Sequence, residues 1–326
     1  MNANMNVLIL SCGTRNKIVQ YFKKELGDKG MVLAADCSKL APALYEADKH
    51  FIVPRIDEEE YLSTILSICV EFRVKAVLSL IDPELSILAK HKQDFLSVGT
   101  LPIVSDYEIV ELCFDKYRMY QFLTQNGFKT IRSYVDKEVF YKDFKAGKLD
   151  YPVFVKPIKG SASININKVN SREEVELLFA RFDNLMIQEF MNGTEYGADV
   201  YIDILSGEPV AMFTKEKIKM RAGETDKAVS IKEPILFDLI ETFVKKVGFK
   251  GIIDIDLFQV NGEYYISEVN PRFGGGYSHA YECGINVPRM IINNIKGIVN
   301  PKVIGQYNEG VYMMKFSEIL IKSCFS

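Results

Sequence analysis

The sequence lacks the patterns that mark disulfide-stabilised, zinc-binding or membrane-spanning proteins. Its six cysteines are scattered over 326 residues without a C-x-x-C pair, which argues against zinc ribbons and disulfide frameworks and predicts reduced thiols in a cytosol. No segment approaches the roughly 18 consecutive apolar residues that a membrane helix needs. The apolar stretch Val7 to Leu10 follows no cationic region and is too short for a signal peptide. We therefore expect a soluble, cytoplasmic protein.

A strong charge of either sign is also missing. The formal net charge is −3, and the 40 basic and 43 acidic residues are interspersed. Nucleic acids and anionic membranes require a concentrated basic surface, so we expect neither as a partner. A single glycine, Gly13, follows the first predicted strand where a dinucleotide fingerprint has three, and no P-loop pattern occurs. The N-terminal region therefore reads as a scaffold that lines a substrate cleft.

The length and the hydrophobic pattern predict two or three structural units. The continuous apolar run "NVLILSC" reads as a buried parallel strand. Strands then alternate with amphipathic helices, which predicts an open α/β layer ending near residue 105. After one long helical pattern that stops at Asn126-Gly127, strands dominate, which predicts an α+β unit on an antiparallel sheet.

The segment "GIIDIDLFQVNGEYYISEVNPR" is the most informative one. It predicts a β-hairpin closed at Asn261-Gly262. A two-residue loop would pair Asp256 with Ser267 and put it on the face opposite Glu268. A three-residue loop would instead pair Asp254 with Glu268 and place Asp256 on the same face as Glu268. We favour the second, because it gathers Asp254, Asp256, Glu268 and Asn270 into a cluster of hard oxygen ligands suited to a phosphate-bound Mg²⁺; the alternative is an exposed acidic face on an edge hairpin.

Three further segments carry candidate ligand-binding residues. In "YPVFVKPIKGSAS" a strand delivers Lys156 to a small-residue loop whose N–H groups are suited to phosphate. In "MIQEFMNGTEYGAD" the strand end Gln188 to Met191 could lie beside an adenine. Glu195 and Asp199 share one face of the next predicted strand, and ribose hydroxyls are typically held by such a carboxylate. In "TKEKIKMR" the alternation places Lys215, Lys217, Lys219 and Arg221 on one cationic face, which an anionic ligand would stabilise. The alternatives are an ordinary Lys-Pro turn for the first segment and surface acids on an amphipathic strand for the second. For the third, the alternative is a solvent-exposed edge strand whose lysines prevent edge-to-edge pairing.

The order of these motifs resembles the ATP-grasp superfamily, in particular single-module proteins similar to the carbamoyl-phosphate synthase large chain. The motifs in order are Asp115-Lys116, Val155-Lys156-Pro157, Gln188-Glu189-Phe190, Gly193-Thr194-Glu195-Tyr196, Asp256 and Glu268-Val269-Asn270-Pro271-Arg272. The resemblance implies a Rossmann-like pre-ATP-grasp α/β domain over 1–105. It also implies an α+β ATP-grasp fold of two subdomains, over 106–185 and 186–326. It covers roughly residues 106–290 most strongly.

The resemblance also implies an activity and a role for each residue. ATP with Mg²⁺ or Mn²⁺ would phosphorylate a carboxylate, and an amine or ammonia would then displace the phosphate. Arg272, Lys156 and Asn270 would act in catalysis, and Asp256, Glu268 and Asn270 would bind the metal. The nucleotide would contact Lys116, Lys156, Lys159, Gly160, Ser161, Ser163, Gln188, Glu189, Phe190, Met191 and Glu195. The acceptor contacts are instead our own expectation from the residues. Backbone at Gly274–Gly276 could pass close to the acceptor without a side-chain clash, and the candidate contacts are Lys219, Arg221, Gly275, Gly276, Tyr277 and His279.

Some features depart from the family pattern. The phosphate loop carries fewer glycines than in many members, and Asp256 stands where Gln or Glu is common. Only one ATP-grasp module is present, so we do not expect full carbamoyl-phosphate synthesis. A phosphotransferase and a non-catalytic nucleotide sensor are the alternatives. The expected partners are a small-molecule carboxylate and an amine or ammonia, and a homodimer is plausible.

Overall fold

The computed structural model describes residues 5–160 and 166–322. The chain begins with a five-stranded parallel sheet in the order β3-β2-β1-β4-β5. Its strands are β1 (Asn6–Leu10), β2 (Val32–Asp36), β3 (Lys49–Ile52), β4 (Val74–Ser79) and β5 (Leu101–Pro102). Its helices are α1 (Asn16–Leu26), α2 (Tyr61–Glu71), α3 (Asp82–Lys90) and α4 (Lys92–Ser97). All five residues of β1 are buried, as expected for a parallel strand covered on both faces.

The long helical pattern that follows this sheet forms two helices rather than one. They are α5 (Tyr107–Phe114) and α6 (Lys116–Gln125). At the break, the side chain of Asp115 accepts a hydrogen bond from the N–H of Arg118 at 2.9 Å, which is a helix N-cap. This break brings Lys116 to the first turn of α6, where it lines the cleft described below.

A four-stranded antiparallel sheet in the order β6-β9-β7-β8 comes next. Its strands are β6 (Ser133–Tyr134), β7 (Val153–Pro157), β8 (Asn167–Val169) and β9 (Leu185–Glu189), and helices α7 (Lys137–Lys145) and α8 (Arg172–Arg181) pack with it. Strand β7 pairs with both β8 and β9, which places Lys156 in the middle of the sheet.

The largest sheet has six strands in the order β14-β13-β10-β11-β12-β15. They are β10 (Thr194–Ile202), β11 (Pro209–Arg221), β12 (Glu224–Ile231), β13 (Gly251–Val260), β14 (Glu263–Asn270) and β15 (Tyr312–Met314), with α9 (Pro234–Val247) packed against the sheet. Its pairings are antiparallel. The predicted architecture, a parallel α/β layer followed by an α+β unit on antiparallel sheets, is thus confirmed.

The β13–β14 hairpin has a different loop and register from those predicted, yet the four polar residues still come together. The loop has two residues, Asn261 and Gly262, both at positive φ, and Val260 pairs with Glu263. The predicted three-residue loop is therefore wrong, as is the predicted Asp254–Glu268 pair. A bulge further along β14 shifts the register, so that Asp256 lies opposite Glu268 and Asp254 opposite Asn270. The four polar residues share one cleft because of this bulge and not because of the turn.

Two helices near the C-terminus join the first layer to the last sheet. They are α10 (Tyr277–Glu282) and α11 (Val287–Ile295), and they share a core with α1 and β11. The rings of Tyr21 and Tyr281 stack at 3.7 Å between centroids. Residues that follow β1 and β4, among them Arg15 and Asp82, line a cleft together with residues of the six-stranded sheet. Within the described ranges no helix has both the length and the apolar character to cross a bilayer.

Candidate active site

A cleft of about 660 Å³ lies where the three sheets meet. Its lining includes Arg15 and Asp82 from the parallel layer, Lys116 and Lys156 from the next unit, and the Asp256 strand of the six-stranded sheet. Pockets of 300 to 1,000 Å³ hold small-molecule ligands and cofactors. The cleft is therefore large enough for a nucleotide.

Lys156 is a buried cation that lines this cleft. The residue is 6% exposed, and its Nζ donates a hydrogen bond to Gln188 Oε1 at 2.7 Å. Burial lowers the pKa of Lys156, and the carboxylates of Glu268 and Asp256 oppose the shift from a distance. Among the described residues no carboxylate lies within ion-pair distance of Lys156. A buried, unpaired ammonium group is a favourable place for an anion.

The remaining predicted phosphate contacts lie beside Lys156. Lys116 donates a hydrogen bond to the backbone carbonyl of Gly160, and both line the cleft with Lys159. The Nζ of Lys159 is 3.7 Å from Glu111. Ser161 and Ser163 lie outside the described residues.

The apolar end of the cleft matches the predicted adenine position in part. Gln188, Glu189 and Met191 line the cleft, together with the rings of Phe154 and Phe258. Phe190 is not among the cleft-lining residues; its ring packs 5.7 Å from that of Phe154.

The predicted metal ligands come together. Asp256, Glu268 and Asn270 line the cleft, and Asp256 pairs directly across the hairpin with Glu268. Within the described ranges, no three His, Cys, Asp or Glu side chains converge as a metal site. Two carboxylates and an amide oxygen nevertheless match the way Mg²⁺ binds, since it takes one or two protein carboxylates and completes its shell with phosphate oxygens and water.

Asp254, beside this set, is an unusual carboxylate. Burial, together with the neighbouring charges of Asp256 and Asp199, raises the pKa of Asp254 to about 7. The charges of Lys215 and Lys217 act in the opposite direction. In the described part of the chain, no cation forms an ion pair with this carboxylate.

The predicted cationic face of β11 is neutralised by the protein itself. Lys215 Nζ donates to Asp199 Oδ2 at 2.6 Å, and both side chains are essentially fully buried. Lys217 Nζ lies between Glu195 Oε1 at 2.9 Å and Asp256 Oδ1 at 2.5 Å. Burial lowers the pKa of Lys217, but the carboxylates of Asp256 and Glu195 outweigh it and the net pKa is raised. Lys217 thereby fixes a predicted ribose ligand and a predicted metal ligand relative to each other.

Beyond Lys217 the alternation of β11 does not continue. The pairing of β11 with β12 shifts register on both sides of Lys219. As a result, Met220 lines the cleft, whereas Lys219 and Arg221 do not. Arg221 instead forms an ion pair with Asp226 at 3.0 Å. The period-two face predicted from the sequence is wrong at these two positions, because a register shift exchanges the faces of a strand.

Arg272 and Arg15 are held by carboxylates at the end of the cleft nearest the parallel layer. Arg272 donates from Nε and Nη2 to Asp82 Oδ2 at 3.1 and 2.9 Å. Arg15 Nη2 is 2.8 Å from Glu224 Oε1. We call the region lined by these four residues and Asp254 the acceptor end. The sequence pattern did not indicate Arg15, Asp82 or Glu224, and no local motif marks them.

The glycine run after β14 borders the acceptor end. Gly275 and Gly276 line the cleft as predicted. Tyr277 is fully buried and bonds to the carbonyl of Ile285. His279 is also buried, with Nε2 2.8 Å from the carbonyl of Val311. Tyr277 and His279 are therefore core residues and not acceptor contacts, because α10 turns their side chains into the core shared with α1.

Comparisons with known proteins find matches over both parts of the chain. Residues 113–276 match the model of an ATP-grasp domain, and residues 7–103 match a PylC-like N-terminal domain. A carbamoyl-phosphate synthase of Methanobrevibacter smithii is 25% identical over 313 residues, which are 90% of this chain and 82% of that protein. A D-alanine–D-alanine ligase of Acetivibrio thermocellus is 30% identical over 172 residues, 44% of each chain.

The fold is shared with a solved structure. The biotin carboxylase domain of the Hydrogenobacter thermophilus 2-oxoglutarate carboxylase, crystallised as a dimer with MgADP, ADP and bicarbonate, superposes with a TM-score of 0.75. The superposition covers 96% of this chain and 74% of that one, at 17% identity. At this level of identity, the likeness concerns the fold.

Proposed function

We propose, from the premise that this chain belongs to the ATP-grasp family, that it is an ATP-dependent ligase. It would join a small carboxylic acid to an amine or ammonia through an acyl phosphate. The observation that carries the proposal is the cleft. In it the buried ammonium of Lys156 lies close enough to Glu268 and Asp256 for their charges to interact, and Arg272 lines the same space.

The nucleotide would lie along the cleft, with its base in the apolar part beside Met191 and its phosphates in the charged part beside Lys156. The N–H of Glu189 already donates to the carbonyl of Arg132 at 2.9 Å. The adenine edge would therefore be read by the backbone of Met191, which lines the cleft just after the end of β9. Glu195 would hold the ribose. The phosphates would reach Lys156 and the neighbouring Lys116, Lys159 and Gly160.

Asp256, Glu268 and Asn270 would hold magnesium together with the phosphate oxygens. When bound, the ion supplies positive charge where the transferring phosphoryl group carries negative charge. The MgADP in the 2-oxoglutarate carboxylase structure supports this choice of cofactor. Lys217, which pairs with Asp256, would keep that carboxylate oriented towards the metal.

The protein's own groups would position and stabilise the reacting atoms. A substrate carboxylate oxygen would attack the γ-phosphorus of ATP, and the bond to the β,γ-bridging oxygen would break as ADP leaves with the electron pair. An amine nitrogen would then attack the acyl carbon, expel inorganic phosphate and lose a proton. Arg272 and Lys156 would stabilise the charge of the phosphoryl group by preorganised hydrogen bonds.

Hydroxylamine trapping tests this proposal. The protein would be incubated with MgATP and hydroxylamine across a panel of carboxylic acids, amino acids, peptides and bicarbonate. ADP release and hydroxamate would be measured together. A hydroxamate formed with ADP from one acid is the expected result. A stable phosphorylated product without hydroxamate would replace the ligase with a phosphotransferase.

A matched pair of variants on β14 connects the activity to the cleft. Glu268→Gln should reduce ADP release at least 100-fold, because it removes a charged metal ligand. Glu263→Gln, at the other end of the same strand and paired at the surface with Lys129, should retain it. Equal activity of the wild type and Glu268→Gln would refute the metal assignment.

A further inference from the structure

The parallel sheet has its topological switch point between β1 and β4. From β1 the chain passes to β2 and β3 on one side, and it then crosses to β4 and β5 on the other. The loops that leave the carboxyl ends of β1 and β4 therefore diverge, and open α/β sheets bind ligands at such a place. In this protein both loops reach the cleft, because Arg15 follows β1 and residues 80–82 follow β4.

The carboxylate of Glu84 lies between the starts of these two loops. Glu84 is in the first turn of α3 and is 1% exposed. Its Oε1 accepts hydrogen bonds from Ser11 Oγ at 3.0 Å and from the hydroxyl of Tyr61. Its Oε2 accepts from the hydroxyl of Ser79. Ser11 is the first residue after β1 and Ser79 is the last residue of β4, so one carboxylate connects the starts of both loops.

The loop after β1 presents Arg15. Ser11 has a positive φ of 46°, which is uncommon for a residue other than glycine, and its hydrogen bond to Glu84 stabilises this conformation. The turn continues as the N–H of Arg15 donates to the carbonyl of Cys12 at 2.9 Å. The guanidinium of Arg15 then lines the cleft and pairs with Glu224 at 2.8 Å.

The loop after β4 presents Asp82. The Ser79 hydroxyl that donates to Glu84 also accepts from the N–H of Ile81 at 3.1 Å. The next residue, Asp82, begins α3 and accepts two hydrogen bonds from Arg272. The contacts of Glu84 thus lead from both loops to a guanidinium group that lines the cleft.

Glu84 is a costly residue to bury at this position. Within residues 5–160 and 166–322 no cation forms an ion pair with its carboxylate. Burial raises the pKa of Glu84, and the hydrogen bonds from Ser79, Tyr61 and Ser11 act against the shift. An apolar side chain of the same size would pack there without this desolvation. Carboxylates in such surroundings concentrate at functional sites, where the positions of other groups matter.

We propose that Glu84 is a positioning residue of the ligase, which sets the loops after β1 and β4 so that Arg15 and Asp82 meet at the acceptor end. Through Asp82 it also sets Arg272. The inference rests on the proposed function. Glu84 does not touch the substrate itself, since its side chain is buried and is not among the residues that line the cleft.

Two variants that each remove one hydroxyl donor to the same oxygen of Glu84 test the proposal. Ser11→Ala breaks a contact on a loop that reaches the cleft. Tyr61→Phe breaks a contact of the same kind, but Tyr61 lies on α2, which supplies no residue to the described lining of the cleft. Tyr61→Phe is therefore the matched control for the loss of a buried hydrogen bond.

The measurement is hydroxamate formation from the preferred acid with MgATP, beside calorimetric titration with MgATP. In Ser11→Ala kcat/KM for the acid should decrease about tenfold or more, because a displacement of about 1 Å near the reacting atoms can cost 100-fold. In Tyr61→Phe it should remain close to the wild-type value, although both variants should unfold at similarly reduced temperatures. The Kd for MgATP should remain close to the wild-type value in both, because the proposed phosphate and adenine contacts belong to other units of the fold.

Glu84→Ala should combine the effects. Its kcat/KM for the acid should be at least as low as that of Ser11→Ala, and adding Ser11→Ala to it should cause little further loss, because the contact is already absent. If Glu84→Ala does not fold, the comparison of the two hydroxyl variants still decides.

The outcomes separate this inference from the proposed function. Equal decreases in kcat/KM in Ser11→Ala and Tyr61→Phe, no decrease in Ser11→Ala, or a parallel loss of ATP affinity would overturn the positioning role and leave the ligase proposal in place. The absence of acid-dependent ADP release from the wild type with every acid tested, in protein shown to bind ATP, would overturn both.

Discussion

Replacing Lys156 by methionine separates ligand binding from folding. The ammonium group is buried and bonds to Gln188, and no carboxylate of residues 5–160 and 166–322 pairs with it. In the free protein, Lys156→Met removes a desolvated charge, which stabilises the fold, and leaves Gln188 Oε1 without its donor, which destabilises it. Each effect is about 1 to 3 kcal/mol, so the two nearly cancel. We expect the melting temperature without nucleotide to change little.

The effect on nucleotide binding should be large. A charge-assisted hydrogen bond to phosphate contributes about 1.5 to 3 kcal/mol, which corresponds to a roughly 10- to 150-fold change in Kd. If ATP is supplied at 100 times the wild-type Kd, it stabilises the wild type by about 2.7 kcal/mol. A 100-fold weaker variant would be stabilised by only about 0.4 kcal/mol.

The assay is calorimetric titration with MgATP combined with thermal unfolding at fixed nucleotide. Lys302→Met serves as the control, because Lys302 is an exposed lysine that pairs with Glu241 at the surface. An ATP affinity within threefold of wild type in Lys156→Met would refute the phosphate role. A variant that unfolds many degrees lower without nucleotide would show that Lys156 is mainly structural.

Two further predictions concern buried ionisable side chains, the Asp199–Lys215 pair and His279. Asp199→Asn leaves the Lys215 ammonium buried without its counter-charge, at a cost of about 3 to 5 kcal/mol; adding Lys215→Met should restore most of it. With an unfolding entropy of about 2.1 cal/mol/K per residue, thermal unfolding should show a decrease of about 4 to 7 °C for the single variant, and equal losses in both variants would contradict the pairing. Burial and the charge of Lys215 lower the pKa of His279 from 6.5 to about 4. The contribution of its neutral imidazole to the free energy of unfolding is therefore complete above pH 6.5 and is lost as the pH falls towards 4. At pH 5 the wild type should have lost about 2 kcal/mol through this group, and His279→Phe should show a correspondingly weaker decline in melting temperature between pH 7.5 and 5.

The structural elements that could be predicted are those whose pattern is formed by residues adjacent in the sequence. The apolar run of β1 and the Asn261-Gly262 turn depend on neighbouring residues, so they are visible in the sequence. The side chains that meet across β13 and β14 are determined by the bulge that follows, which has no distinctive residue type. The same limit applies to Lys219, where a register shift removed a predicted cleft residue.

The acceptor end could not be predicted because its pairs are distant in sequence. Asp82 and Arg272 are 190 positions apart, and Arg15 of the parallel layer meets Glu224 of the six-stranded sheet. A residue at the start of a helix or in a loop carries no pattern that names such a partner. The packing of α10 and α11 on α1 is one of the long-range contacts that bring these groups to one cleft.

The glycine run after β14 allows a close approach, as we expected, but the groups that approach it are not the ones we expected. Three successive glycines indicate close approach, and we expected the approaching group to be the acceptor. In the described structure, none of the three has positive φ, so conformational freedom is not the cause. A Cβ at Gly274, Gly275 or Gly276 would lie 2.5, 2.8 or 3.0 Å from atoms of Asp254, Glu224 or Lys215. The run therefore admits three charged side chains of the protein itself. Two of them, Asp254 and Glu224, line the cleft together with Gly275 and Gly276, whereas Lys215 is buried against Asp199.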